Sequence, residues 1–569
     1  MLKFDVLVIG SGGSGMRAAW AASRHGDLKV ALMTKTFPTR SATCMAQGGI
    51  NGVMKFADPA DKVADHIFDT IKGGDYLGDQ DAITFYCERL PACINELDYQ
   101  GVPFNRDGKG QISQRHSGGQ NSPRTCYSSD MSGHSLLHTA FEQCLKQNMT
   151  ILSDWLLLDL VVDQGELCGI VTLDIKTGKI NPISAKTVVI ATGGAGRLYW
   201  MRTSNPLTST GDGMAACFRA GIPLKDMEMF QFHPTGLSGS GILMSEVSRS
   251  LGGYLLNKDG ERFMKRYAPE KMELATRDLI SQAIETEIRE GRGLGEGIDA
   301  YVYLDLRHIG REKILESLGG TRDMAIIFEH IDPIDAPIPI RPTAHYTMGG
   351  IDIVDYRNGA TSIKGIFACG EAACVSIHGA NRLGGNSLAD AMLFGKVAGE
   401  GASIYAQERT FTGEQLVAVT AKDWEKKYQT ITERKKGPTV PDIRQRMAET
   451  MWYKVGVFRN EKEMLEALET IEFLLQEYQN CVVGDRSRVF NTAFVNYFEL
   501  GNLLTVAKAV VIGALTRTET RGCHLREDYP QRDDENFLKH TLISKEGAAY
   551  KISYRPVAVT KYKPQERRY

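Results

Sequence analysis

The opening of the chain decides most of its architecture. Residues 4–9 read Phe-Asp-Val-Leu-Val-Ile and run into Gly10-Ser11-Gly12-Gly13-Ser14-Gly15, followed by an Ala-rich helical stretch from Met16 to His25. A buried strand, a G-x-G-x-x-G turn and a helix, in that order, form a dinucleotide-binding fingerprint. The glycines permit a tight turn and close backbone approach, and the helix N-terminus faces a pyrophosphate. The fingerprint commits the chain to a parallel, helix-covered α/β sheet.

The next strand, Lys29 to Thr34, ends in Thr34 and Lys35, where an Asp or Glu usually holds a ribose, which weighs against an NAD enzyme. Later pieces point to FAD. Residues 187–194 form an apolar strand ending in a glycine turn, and Thr210-Gly211-Asp212-Gly213 opens an apolar helix. Residues 365–371 give another strand and turn, where Glu371 could bind sugar hydroxyls. Ser387 and Leu388 then begin a helix whose N-terminus favours negative charge on a reduced flavin.

At 569 residues the chain implies three or four domains. With 67 basic against 69 acidic residues, nothing points to nucleic acid. The eleven cysteines are scattered without a C-x-x-C pair, which argues for a reducing compartment and against disulfides, a zinc site or an iron–sulfur cluster in this chain. Met1 leads directly into a strand, and the best apolar stretch, Leu503 to Leu515, is short and carries Lys508. The expectation is a soluble cytoplasmic chain that meets a membrane only through partners.

Four islands combine a cationic or imidazole side chain with small residues. They are His233-Pro234-Thr235-Gly236, Ala275-Thr276-Arg277-Asp278, His345-Tyr346-Thr347-Met348-Gly349-Gly350, and residues 378–387, which carry Arg382. Two His and two Arg that converge would make a site for a small dianion.

With these islands, Phe37-Pro38-Thr39-Arg40-Ser41, Ala46-Gln47-Gly48-Gly49, Gly78-Asp79-Gln80-Asp81-Ala82 and Arg532-Asp533-Asp534-Glu535-Asn536, the chain resembles the flavoprotein subunit of succinate dehydrogenase and fumarate reductase over essentially its full length. L-Aspartate oxidases share the fold and several motifs and are the alternative. The resemblance implies an α/β fold: a Rossmann-type FAD-binding domain (1–230 and 345–405) interrupted by a capping domain (231–344). A helical domain (406–520) and a C-terminal tail region (521–569) follow.

For FAD it implies Gly10, Ser11, Gly12, Gly13, Ser14, Gly15, Thr34, Lys35, Thr39, Arg40, Ser41, Ala42, Thr43, Gln47, Gly48, Gly49, Asp212, Glu371, Ser387 and Leu388, and no metal. For fumarate or succinate it implies His345 and Arg382 at one carboxylate, and His233, Thr235 and Ser245 at the other. Arg277 would exchange the proton through a relay of Glu246 and Arg249, while FAD exchanges hydride. Electrons would come from a separate iron–sulfur subunit and, through it, from membrane-anchor subunits or a soluble thiol. That places the chain in the cytoplasm, peripheral on the inner face of the membrane.

Three departures qualify the resemblance. The family's Arg-Ser-His-Thr segment, whose histidine bonds to the flavin, reads Arg40-Ser41-Ala42-Thr43 here. Non-covalent FAD is therefore expected, with a lowered potential and a bias toward fumarate reduction; a thioether through Cys44 is the alternative. Where the family carries a substrate-lining Phe and aspartate oxidases a Glu, this chain has Ser117. After the relay Arg, a family Glu is replaced within Ser250-Leu251-Gly252-Gly253.

Overall fold

A computed structural model describes residues 1–547 and 549–565, so positions 566–569 of the expected tail region lie outside the described residues. The chain is mixed α/β with a C-terminal helical region. Strand Leu2–Ile9 lies in parallel between Val30–Thr34 and Lys179–Ile190, and Thr150–Ser153 adds outside Val30–Thr34. Val6, Leu7, Val8 and Ile9 are all buried, as expected of a parallel strand covered on both faces.

The long strand Lys179–Ile190 joins two kinds of sheet. Its first half pairs antiparallel with Glu166–Asp174, which pairs in turn with Trp155–Asp163. Its second half takes Ile366–Ala368 in parallel, so a strand from beyond the His233 and Arg277 islands completes the first sheet. Helices Gly13–Ala22 and Asn386–Gln407 cross beside it, almost backbone to backbone. A Cβ on Gly399 would sit 2.2 Å from the Ala18 carbonyl oxygen, and one on Gly395 would sit 2.5 Å from that of Ser14. Only glycine allows this approach, which brings the N-termini of both helices to one place.

Residues 230–347 build a second unit. Phe230–Leu237, Ile338–Thr347, Val302–Asp305 and Tyr254–Leu256 form a four-stranded antiparallel sheet. With helix Arg277–Arg289 it encloses its own core, including Leu237, Leu255, Ile280, Ile284, Leu304 and Ile340.

Four long helices follow, ending in Thr492–Thr516. This last helix corrects the expectation of a short apolar stretch. It spans 25 residues at a mean hydropathy of 1.6, long and apolar enough to cross a bilayer by length and composition, with 67% of that window buried inside the protein. An all-round apolar surface is what a core helix requires, and Lys508 is paired with Glu472 at 2.8 Å.

The region after residue 520 is folded back onto the body. Hairpin Lys539–Glu546 and Ala549–Pro556 joins a sheet with Leu224–Lys225, Gly350–Asp352 and Ala373–Cys374. Buried ions fix it there: Arg517 binds Glu228 (2.7 Å) and Glu519 (2.9 Å), and His540 Nδ1 lies 2.7 Å from Asp226. Burial opposes charge on His540, but Asp226 and Asp79 outweigh it and raise its pKa to about 9. An unfolded imidazole titrates near about 6.5, so this stabilisation is complete below that pH and is lost as pH rises through about 9. Amide exchange across the hairpin, corrected for intrinsic rates, should therefore accelerate over that window; unchanged protection would show that the ion pair contributes nothing.

Candidate functional site

A cavity of about 890 Å³ runs between the large sheet and the four-stranded unit. At one end it is walled by Gly10, Ser11, Gly12, Ser14, Thr34, Lys35, Arg40, Ser41, Ala42, Thr43, Gln47, Gly48, Gly49, Asp212, Glu371, Ser387 and Leu388, all expected at a dinucleotide. Three expected residues do not line it. Gly13 donates its amide to Thr43 Oγ1 (3.0 Å), and a Cβ on Gly15 would lie 1.8 Å from the Gly10 carbonyl oxygen, so both serve the turn itself. Thr39 follows Pro38, whose carbonyl oxygen lies 2.7 Å from Ser11 Oγ, and stays behind the wall.

Lys35 and Asp212 reach the wall as a pair rather than as a free cation and anion. The ammonium donates to Asp212 (2.6 Å), Thr210 (2.6 Å) and Glu499 (2.7 Å). Burial opposes its charge, but the two carboxylates outweigh burial and raise its pKa. Glu371 is different: burial pushes its carboxyl up to about 7, although it accepts the Thr347 amide (3.0 Å).

This end fits a long ligand with an anionic middle. The N-termini of helices Gly13–Ala22 and Asn386–Gln407 both open on it, where orphan amides and the helix dipole favour phosphate and other negative charge. Ser41 Oγ and Gln47 Oε1 are buried without a partner among the described residues. A Cβ on Gly48 or Gly193 would meet nothing within 4 Å, so the backbone there is open to a ligand.

The other end gathers His233, Ser245, Glu246, Arg249, Arg277, His345 and Arg382. Strand Phe230–Leu237 supplies His233 and its neighbour strand Ile338–Thr347 supplies His345, with ring centroids 5.1 Å apart. Arg277 is the first residue of its helix. Thr235, expected here, does not line the cavity: its hydroxyl donates to the Met244 carbonyl (2.9 Å) and its amide to His233 Nδ1 (3.2 Å). It therefore orients His233, leaving Nε2 to carry the proton of the neutral ring.

Burial, reinforced by Arg277, holds His233 well below the ordinary imidazole range; burial and then Arg382 do the same to His345. Burial would raise Glu246, but Arg277 and Arg249 outweigh it and lower its pKa to about 2. Arg277 Nη2 donates to Glu246 Oε2 (2.8 Å), and Arg249 Nη2 to Glu246 Oε1 (3.2 Å). Burial and Arg277 lower Arg382 to about 10, so it remains charged near neutrality. Three guanidinium groups against one carboxylate, with neutral imidazoles, leave an excess of two positive charges. That balance suits a dianion.

Sequence reasoning missed the residues that hold this set in place. Ser204 Oγ is 2.8 Å from His345 Nδ1, and Asn205 Nδ2 donates to the His345 carbonyl (2.8 Å). Gln231 Oε1 accepts from Arg382 (3.1 Å) and the Glu273 carbonyl accepts from Arg249 (2.6 Å). Only Gln231 had a local signal, two residues before the His233 island. Ser117 Oγ lies 2.8 Å from Thr125 Oγ1, and a Cβ on Gly384 would be 3.3 Å from Ser117 Cβ and 3.5 Å from Arg277 Nη2. Ser117 thus stands close to Arg277. Leu251 packs on the core of the four-stranded unit, outside the cavity.

A family model described as FAD binding domain matches residues 5–388, and one described as Fumarate reductase flavoprotein C-term matches 444–569. The chain is 47% identical to the 8-methylmenaquinol:fumarate reductase flavoprotein subunit of Wolinella succinogenes, over 99% of this chain and 92% of that protein. It is 42% identical to the succinate dehydrogenase flavoprotein subunit of Rickettsia bellii, over 98% and 96%. The FrdA chain of E. coli quinol fumarate reductase, solved in a mutated form, superposes with a TM-score of 0.95 at 38% identity, covering 100% of this chain and 99% of that one.

Removing the Ser204 hydroxyl tests the positioning of His345. Ser204→Ala should weaken binding of a small dicarboxylate such as malonate by about tenfold, the worth of one hydrogen bond of about 1.4 kcal/mol. Calorimetric titration reads this directly, and unchanged affinity would remove Ser204 from the account.

Proposed function

The chain belongs to the flavoprotein subunits of succinate dehydrogenase and fumarate reductase, and on that premise we propose that it interconverts fumarate and succinate with a bias toward fumarate reduction. It is an FAD-dependent oxidoreductase. FAD, when bound, supplies the hydride chemistry and passes electrons to or from a redox partner. The observation that carries the reading is the excess of two guanidinium charges beside two neutral imidazoles, at the far end of a cavity built for a long anionic ligand.

In this reading the planar Arg382 and His345 hold one carboxylate, while His233 and Ser245 hold the other. Clamping both ends fixes the double bond and draws charge toward the cationic side, a positioning and electrostatic effect. Arg277 delivers the proton to the substrate carbon in reduction and removes it in oxidation. An Arg is a weak acid, with a pKa above about 12, so the step needs immediate reprotonation. The hydrogen bonds from Arg249 through Glu246 to Arg277 support that relay.

We read residues 1–230 and 345–405 as the FAD domain, 231–344 as the cap, 406–520 as the helical domain and 521–569 as the C-terminal region. The proposed clamp then draws on both units: His233, Ser245, Glu246, Arg249 and Arg277 come from the cap, and His345 and Arg382 from the FAD domain. Closing one on the other completes the site and excludes water.

The bias rests on Ala42, which lies in the turn Ala42–Met45 on the cavity wall. Its methyl group cannot bond to a flavin, so FAD is held non-covalently and at a lower potential. The curated relatives are named as subunits, and this chain is proposed to work with an iron–sulfur subunit and, through it, at the membrane. The aspartate-oxidase alternative gains nothing at Ser117, whose hydroxyl faces Thr125 and offers no carboxylate to a substrate amine.

Two measurements test the reading. Flavin should leave the polypeptide on denaturation, and flavin retained on the protein would overturn the non-covalent assignment. Arg277→Ala should cut dye-linked fumarate reduction by about 10²–10⁴-fold with the flavin spectrum intact, as expected for loss of a general acid. Retained turnover would refute the role of Arg277.

A further inference from the structure

We propose that Cys44, His134 and His138 form a binding site for one zinc ion, which ties the loop walling the cofactor cavity to the helix behind it. His134 and His138 are four residues apart on helix Ser132–Lys146 and so share one face, with ring centroids 4.1 Å apart. Cys44 comes from the turn Ala42–Met45, and its sulfur faces His134 Nδ1 at 3.4 Å. One ligand atom from each of the three lies within 4.8 Å of the others.

The distances suit the metal. Zinc bonds of about 2.3 Å to sulfur and about 2.0–2.1 Å to nitrogen, at tetrahedral angles, place the two donors about 3.6 Å apart. The Cys44–His134 edge is already near that separation, and side-chain rotation is enough to draw in the third ligand. The backbone beneath is preset. The Gly133 amide donates to the Ala46 carbonyl (2.8 Å), and a Cβ on Gly133 would lie 2.0 Å from the Thr43 carbonyl oxygen. The turn therefore rests directly on the first residues of the helix, so the donors meet without further ordering of the chain.

The donor chemistry selects the ion. One thiolate and two imidazoles favour zinc over magnesium, calcium or manganese, which prefer oxygen. All three residues are half-buried. Binding replaces the S–H bond of Cys44 with an S–Zn bond and releases one proton to solvent, with no change of oxidation state. Three protein ligands leave a fourth position for water. Local spacing argued against a zinc site because no C-x-x-C is present; here the fold joins ligands 90 positions apart. The link to the FAD wall rests on the functional reading above, but the site itself does not.

The test uses the purified protein with its native partners and bound FAD, stripped with a chelator and titrated with zinc chloride. Zinc is counted by mass spectrometry, which keeps it separate from any iron in a partner. Wild type should hold about one zinc per chain, with X-ray absorption showing one sulfur and two nitrogen neighbours. Cys44→Val and His138→Gln should each lower zinc affinity at least about tenfold. Zinc should raise the melting temperature of wild type and not of either variant. Equal zinc retention in wild type and variants, or zinc without a sulfur neighbour, would overturn the proposal and leave a thiol–imidazole hydrogen bond. If Cys44→Val does not fold, the same criteria applied to His138→Gln decide the question.

Discussion

The crossing of helices Gly13–Ala22 and Asn386–Gln407 is the constraint on which the rest depends. Gly395 and Gly399 let the second helix lie against the carbonyl groups of the first. Two helix N-termini from opposite ends of the sequence then meet at one cavity, and the strand Ile366–Ala368 is carried to its place on Lys179–Ile190. A side chain at either glycine would separate the helices and pull the cavity apart. The four-stranded unit can be inserted between the two halves because this contact rejoins them independently.

The second organising principle is uncompensated charge. Elsewhere in the interior some cations meet more than one carboxylate: Lys35 has Asp212 and Glu499, and Arg517 has Glu228 and Glu519. At the cavity end holding Arg277 the balance is broken, and Arg277 Nη1 and Arg382 Nε are buried without a partner among the described residues. Guanidinium groups that outnumber the carboxylates beside them are costly to bury, so this arrangement is stable only because the rest of the fold holds it in place. The local deficit of anions is what gives a dicarboxylate its affinity.

Much of this was legible in the sequence because the glycine turn and the four islands are local signals with fixed spacing. The fingerprint at residues 10–15 gave the correct strand, turn and helix, and the islands carry the side chains that meet at the far end of the cavity. Motifs cannot say which members face the cavity, and Gly13, Gly15, Thr39 and Thr235 do not line it. Residues that act through long-range partners gave no signal: Ser204 and Asn205 meet His345 some 140 positions away. Charge pairing across the fold was equally hidden, as Lys35 and Asp212 show. The apolar helix Thr492–Thr516 was read too short, because its first turns carry the polar Thr492, Asn496 and Glu499 among buried Phe494, Tyr497 and Phe498.

His233 pairs with Thr343 on one antiparallel ladder, whereas His345 is the extra residue at a register shift, because Gln231 pairs with Tyr346 and Phe232 with Ala344. Glu246 and Arg277 lie outside that ladder, at the starts of helices Val247–Ser250 and Arg277–Arg289. Helix Arg277–Arg289 is tied to the strand of His233, Ser281 Oγ donating to the Phe232 carbonyl (3.3 Å), so His233 and Arg277 sit on one packed pair of elements. Register irregularities at Gln231–Phe232 and His233–Gly236 bend the strands on both sides of His233, a device that re-aims side chains. The facing of the two rings thus depends on a backbone irregularity: one extra residue in the ladder places His345 beside His233 while the strands stay paired on either side.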